Sequence, residues 1–203
     1  MSWKDYTSLS REALLEKIQQ KVNPHRFNHI LGVERVAIRL AKQYGVDQTK
    51  ASIAALVHDY GKEVDDEVYQ NLMIQHHRED LAPYGNNIWH GKLGVYLIER
   101  DLHIHDRDIL HAVSVHTTGA VHMNMLDKIL FVADYIEPSR QFPGVEEART
   151  LAYQSLDESV RYELQHTLLF LIEQNKVVFP ETIQAYNVWN AHLMMEEKEN
   201  YND

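Results

Sequence analysis

An all-α protein is what this sequence predicts, and three features predict it. Apolar residues recur three and four apart through nearly every apolar stretch, which is helical spacing. The 8 glycines and 5 prolines are few and fall at the boundaries between those stretches, where helices start and stop. No segment carries the strict apolar–polar alternation of a convincing strand.

Taken in order, Leu14, Leu15, Ile18 and Val22 mark a first amphipathic helix that begins near Ser8 or Ser10 and stops before Pro24. Val33, Val36, Ala37, Leu40, Ala41 and Tyr44 mark a second, ended by Gly45. Asp47 is an N-cap for a third from Ala51 to Tyr60, with Gly61 as its stop. Asp65 or Asp66 caps a short helix through Met73, and 81–87 reads as a loop. One helix then carries His90, Leu93, Leu97 and Ile98. Asp106 caps the next, which runs into His116 and stops by Gly119. Leu126, Ile129, Leu130 and Ala133 carry another to Pro138. A turn-rich segment, 139–144, precedes a helix from Val145 to about Tyr153. A further one bears Leu156, Val160, Leu164, Leu168 and Leu171, and Pro180 opens the last, toward a polar tail that reads as disordered.

At 203 residues the chain predicts one domain, 1–203. Hydrophobic residues make up 44% of it, enough for a continuous core. No run approaches the roughly 18 apolar residues of a membrane span, and the amino terminus lacks the basic start and apolar block of a secretory signal. The absence of cysteine excludes disulfides, thiolate metal sites and a cysteine nucleophile. It also fits a cytoplasmic location. A formal charge of −10, from 20 basic and 30 acidic side chains, repels nucleic acid and anionic membrane, so neither is expected as a partner. A small phosphate ester remains open to it, given a locally positive site.

Against this background His29, His58, Asp59, His90, His116 and Asp134 stand out. Each lies in or beside a helical stretch, and only a fold could gather them. A buried charge costs several kcal/mol unless it is paired or bound to metal. Asp134 interrupts the apolar run 129–136, where the plain alternative is a buried salt bridge to an arginine. Asp59 follows an apolar run at a helix end, where a carboxylate is mildly unfavourable; bridging two cations would reverse that sign. Imidazole and carboxylate together suit iron, manganese or zinc rather than copper(I). The other histidines, among them His25, His111 and His166, read as surface or hydrogen-bonded residues. His111, about one and a half turns before His116, is expected to face elsewhere.

In this order His29, the His58-Asp59 doublet and Asp134 resemble the H…HD…D signature of the HD-domain phosphohydrolases, and His90 and His116 match the subset that binds two metals. The segments 26–29, 58–62 and 133–145 are similar to the bacterial symmetrical bis(5′-nucleosyl)-tetraphosphatases of the HD type. The likeness covers roughly Val22 to Asn190. It implies an HD-domain helical bundle, with a core over about 22–138 and additional C-terminal helices, about 143–195, packed on it. It also implies two divalent metal ions, iron first, with manganese, cobalt or zinc also accepted by the ligand set. One metal would take His29, His58, Asp59 and Asp134, and the other His90 and His116, with Asp59 as the bridge. The implied activity is symmetrical hydrolysis of diadenosine tetraphosphate to two ADP by hydroxide formed between the metals.

For such chemistry the sequence offers Asp59 and Lys62 as catalytic groups. Arg26, Lys62, Thr117 and Arg140 are its candidates for contact with substrate phosphates. The segment 175–180 is either a base or ribose contact or a core turn. The expected partner is therefore a dinucleoside polyphosphate or ADP, and a homodimer is one option, with Tyr186 and Trp189 as core or contact residues. The alternatives are another HD nucleotide phosphohydrolase, or a nucleotide-binding regulator with a retained metal site. The Gly-Tyr-Pro signature of cyclic-dinucleotide enzymes is absent.

Overall fold

Several helix starts in this chain are set by short polar side chains that satisfy free N–H groups. The computed structural model describes residues 2–200, with side chains described for 2–191. After a short 3-10 turn, Trp3–Asp5, comes helix α1, Arg11–Gln19, capped by Ser10, which accepts from the Ala13 N–H. Asn23 does the same for α2, Pro24–Gln43, by accepting from Arg26. Pro24 thus opens a helix as well as closing the preceding turn, since its missing N–H is not needed at the first position. Asp47 caps α3, Gln48–Val57; α4, Asp66–Gln75, starts behind Asp65, whose side chain makes no capping hydrogen bond. Asp106 caps α7, Arg107–Val115, and Asn124 caps α8, Met125–Ile136.

The core is built on α2, α3, α7 and α8. Helix α3 packs along α2, α7 and α8, and α2 and α7 both lie against α8. Every residue of α3 from Ala51 to Val57 is buried. Its small residues Ala51, Ser52, Ala54 and Ala55 let neighbouring backbones approach, while Ile53 and Leu56 fill the space between them. Burying each of those two side chains contributes roughly 1.5–3 kcal/mol. Helices α9, Val145–Gln154, and α10, Leu156–Glu173, pack against each other and on α8. Helix α11, Pro180–Asn200, packs on α10. Trp189 donates from Nε1 to the Ala120 carbonyl at 2.9 Å, so it serves the core. The end of the tail read as disordered lies outside the described residues.

The all-α expectation holds, with no strand among the described residues. Three local expectations need correction. The stretch 81–87 is not a plain loop: Glu79–Tyr84 is a 3-10 helix, and Asn86 already begins α5, Asn86–Lys92. Buried Leu81 anchors this segment, its carbonyl accepting from Trp89 Nε1 at 2.7 Å. The single helix expected through His90, Leu93, Leu97 and Ile98 is two, α5 and α6, Gly94–Leu102, broken at Leu93. A Cβ at Gly91 would stand 3.3 Å from the Val113 carbonyl, so this turn packs directly on α7 just before the break. Finally, α3 and α7 end at Val57 and Val115, so that His58 and His116 are C-caps rather than interior residues. The chain tightens there through short-range bonds such as Tyr60 N–H to the Val57 carbonyl at 3.0 Å. That turn aims Asp59 inward.

Candidate metal centre

The four core helices deliver their polar residues to one place. His29 comes from the first turns of α2, His58 and Asp59 from the end of α3, His116 from the end of α7 and Asp134 from α8, with His90 from α5. The structure brings all six together: ligand atoms of His29, His58 and Asp59 lie within 4.8 Å of one another, as do those of His58, His116 and Asp134, and of Asp59, His90 and His116. All are buried except Asp134, whose side chain is 19% exposed.

The direction of the imidazoles says more than their proximity. His58 Nδ1 faces the Ala55 carbonyl at 2.7 Å, His90 Nδ1 the Asn86 carbonyl at 2.7 Å, and His116 Nδ1 the Val113 carbonyl at 2.6 Å. His29 Nδ1 faces a Glu137 carboxylate oxygen at 3.0 Å. An acceptor opposite Nδ1 fixes the proton there and leaves Nε2 with a bare lone pair in the neutral ring. All four Nε2 atoms turn to the middle. Those of His29 and His58 are buried with no hydrogen bond, and those of His90 and His116 stand 3.0 Å apart. Unpartnered lone pairs facing each other and two carboxylates would be costly without a cation among them.

Asp59 divides the imidazoles into two pairs. Its Oδ2 lies 3.4 Å from His58 Nε2 and 3.7 Å from His29 Nε2, while Oδ1 lies 3.3 Å from His90 Nε2 and 3.9 Å from His116 Nε2. Asp134 Oδ1 joins the first pair, 3.1 Å from His29 Nε2. This donor set of nitrogen and oxygen atoms fits a divalent metal ion. Burial, with His90 and His58 close by, pushes His116 down to about 3. Burial also lowers His90. At His58 burial works downward too, but Asp59 and Asp134 outweigh it, and its pKa is raised. Burial alone would raise the two carboxyls. His58 and His90 around Asp59, and Arg140 with His29 beside Asp134, instead hold both well below the usual carboxylate range.

The cations named from sequence stand at the rim. Arg26 Nη1 lies 2.7 Å from Asp59 Oδ2. Arg140 reaches Asp134 twice, from Nη2 to Oδ1 at 2.5 Å and from Nε to the backbone carbonyl at 3.0 Å. Lys62 Nζ sits 3.3 Å from Asn87 Oδ1 and 3.4 Å from His90 Nδ1, with its pKa lowered by burial. Thr117 Oγ1 is 3.1 Å from His116 Nε2. A cleft of about 290 Å³ lined by His25, Arg26, His29, Ser139, Arg140 and Phe142 opens onto this edge. In the segment 175–180 only Phe179 is buried, its ring 4.8 Å from that of Tyr84, while Val177 is 70% exposed.

Sequence reasoning missed Glu137. It is 1% exposed, accepts from the Ser139 N–H at 2.8 Å and from the Ser139 hydroxyl, and holds His29 in the orientation just described. Gly32 makes room for it: a Cβ there would lie 2.5 Å from Glu137 Oε2. The available signal was an acid directly after the apolar run of α8, three residues beyond Asp134.

A helical fold with histidine and aspartate gathered from separate helices around one buried centre defines a class. The chain belongs to the HD domain family, which matches residues 26–139. The symmetrical bis(5′-nucleosyl)-tetraphosphatase of Halalkalibacterium halodurans is 39% identical over 94% of this chain and 100% of its own length. That of Bacillus subtilis is 39% identical over 88% of this chain and 97% of its own. That of Staphylococcus aureus is 37% identical, over 85% and 90%. A Clostridium acetobutylicum crystal structure, reported as a predicted HD superfamily hydrolase involved in NAD metabolism, superposes with a TM-score of 0.82. It is 33% identical and covers 91% of this chain and 98% of that one. The likeness therefore extends past the HD match into the C-terminal helices. No helix among the described residues is long and apolar enough to cross a membrane.

Proposed function

We propose that this chain is a metal-dependent phosphoanhydride hydrolase that cleaves diadenosine tetraphosphate symmetrically into two ADP. One observation carries the metal centre: four imidazoles, each tethered through Nδ1, present Nε2 to the two oxygens of one buried aspartate. His29, His58, Asp59 and Asp134 would hold one divalent ion, and His90, His116 and Asp59 a second, with Asp59 shared. Iron is the first choice, and manganese, cobalt or zinc also suit the donors. The choice of substrate rests on the named relatives at 37–39% identity over most of this chain.

Bound there, two such ions would activate a water near neutral pH and polarise the phosphoryl oxygens. The chain's own residues do the rest. Arg26 and Arg140, held at the rim by Asp59 and Asp134, present guanidinium forks to the phosphates that lie over the cluster. Lys62, already beside His90, brings a mobile charge to the oxygen of the departing diphosphate. Thr117 offers a hydroxyl to a phosphoryl oxygen at the His116 edge.

The test is product analysis with protein purified and loaded with iron under reducing conditions. ADP as the sole product from diadenosine tetraphosphate is the expected result. AMP with ATP contradicts symmetrical cleavage, and tight ADP binding without turnover would make the chain a regulator instead. Arg140→Ala is expected to raise KM roughly tenfold while metal content stays. Loss of metal in that variant would make Arg140 a structural partner of Asp134.

A further inference from the structure

Arg140 lines two clefts at once. One is the polar cleft over the cluster already described. The other, about 510 Å³, runs between α8 and the C-terminal half of α10 and is walled by Tyr135, Phe142, His166, Leu169 and Phe170. Phe142 also belongs to both. The two are therefore neighbours, meeting at Arg140 and Phe142, so the polar cleft and the aromatic one lie on either side of the same guanidinium.

We propose that this second cleft takes the purine ring of one nucleoside half of the substrate, with Arg140 gripping the phosphates that connect it to the cluster. The inference rests on the dinucleotide reading above and says where one of its two bases sits. The volume falls in the range of small-molecule sites, about 300–1,000 Å³. Tyr135 and Phe142 lie with ring centroids 4.7 Å apart at 55°, so the wall is made of faces and edges suited to a flat heterocycle. His166 stacks on Tyr162 at 3.8 Å, and its Nδ1 donates to the Tyr162 carbonyl at 2.8 Å. In the neutral ring this leaves Nε2 as an acceptor, matched to an exocyclic amine or a ribose hydroxyl. Leu169 and Phe170 are 48% and 52% exposed at the mouth, a surface that an incoming ring would cover. Thr167 and Glu173 supply the polar rim.

The experiment is isothermal titration of the manganese-loaded protein with two probes. One is a non-hydrolysable, methylene-bridged diadenosine tetraphosphate, and the other is inorganic tripolyphosphate, which has the charge but no base. Phe170→Ala removes a half-exposed ring and puts little packing at risk; Phe142→Ala is the second variant. Each should lower selectivity for the dinucleotide over tripolyphosphate by about five- to hundredfold, the cost of losing one base–aromatic stack. Thr167→Trp, which fills the cleft, should act in the same direction. Selectivity equal to the parent in both phenylalanine variants overturns the proposal. So does a parent dimer that Phe170→Ala converts to monomer with selectivity intact, since the face would then belong to a second copy of this chain. Failure of the two readings can be told apart. A parent that binds the dinucleotide selectively but yields no ADP loses the proposed reaction and keeps the subsite. A parent that makes ADP while its variants stay selective keeps the reaction and loses the subsite.

Discussion

Helix α7 with its C-cap carries histidine twice and α8 carries aspartate twice, and the two occurrences have different fates. His111 and Asp127 meet at 3.0 Å, Nδ1 to Oδ1. His116 and Asp134, one turn or two further along the same helices, enter the buried cluster. The first pair even borders the roomier cleft, about 660 Å³, with His122 on its wall. Yet Asp127 is engaged as a cap, taking the Asn124 N–H on its other oxygen at 2.7 Å, and the His111 side chain is 48% exposed with Nδ1 turned to the carboxylate. Neither histidine number nor cavity size makes the centre. What does is a backbone or carboxylate acceptor behind each ring, which sends every Nε2 to one point.

The sharpest way to break this contrast is to remove the equivalent acid from each place. Asp59→Ala should lower metal affinity by more than the roughly 10–100-fold that losing an outer partner of a ligand costs, and abolish turnover with it. Asp127→Ala should keep metal and activity. Its loss is a helix cap, about 1 kcal/mol, which for a chain of this size lowers Tm by roughly 2–4 °C. Metal analysis and a thermal melt on the two variants decide it. A metal-free Asp127→Ala, or a fully loaded Asp59→Ala, would erase the distinction.

Next in size is the outer partner itself. Three of the four rings are tethered by backbone carbonyls, which no substitution removes; His29 alone relies on a side chain, Glu137. Glu137→Ala should therefore weaken metal binding roughly 10–100-fold, with Glu137→Gln retaining part of it through the amide oxygen. Gly32→Ala should act in the same direction, because its Cβ would displace Glu137 Oε2. Unchanged metal affinity in all three would show that His29 needs no tether.

What the sequence hid follows from the same physics. Asp59 and Asp134 are legible because each sets a carboxylate into or just after an apolar helical run, and the four histidines through their joint order with these acids, which resembles the HD signature. Glu137 was not, since an acid before Pro138 reads as an ordinary helix stop and its partner His29 is 108 residues away. The sequence runs α3 and α7 on toward the next glycines, Gly61 and Gly119, because no residue before them breaks a helix; the tightening at His58 and His116 is a property of the turn. The break at Leu93 is hidden in the sequence because the apolar period runs unbroken through it, and the close approach of Gly91 to α7 is made by the fold. Arg26 and Arg140 were legible as cations, but their seats on Asp59 and Asp134 are made by the fold.

A smaller effect separates rings within the cluster by pH. His58 has a raised pKa, so its proton competes with a metal ion at Nε2 as pH falls through a value above 6.5. His90 and His116 are lowered, are already neutral in that window and add no dependence. Without metal, the charge on His58 stabilises the fold below about pH 6.5, and this is lost as pH rises through the folded pKa. Metal binding near neutral pH should thus release at least the His58 proton. Titration in buffers of different ionisation enthalpy measures it. Release of none would mean that His58 is already neutral in the free protein.

The smallest effect returns to His111. Its half-exposed ring pairs with a carboxyl whose pKa is raised by burial, and His111 is among the groups that pull it back down. A carboxyl with a raised folded pKa favours the folded state when protonated, and that contribution fades as pH rises through the folded value. Removing His111 raises Asp127 further, so the harm appears where Asp127 would otherwise be ionised. His111→Ala should therefore cost up to about 1 kcal/mol at pH 7 and less at pH 4, with metal content unchanged at both. Thermal melts at the two pH values give the sign directly. An equal loss at the two pH values would mean that Asp127 keeps one protonation state throughout and that His111 acts by packing, which would leave the two histidine–aspartate pairs distinguished by location alone.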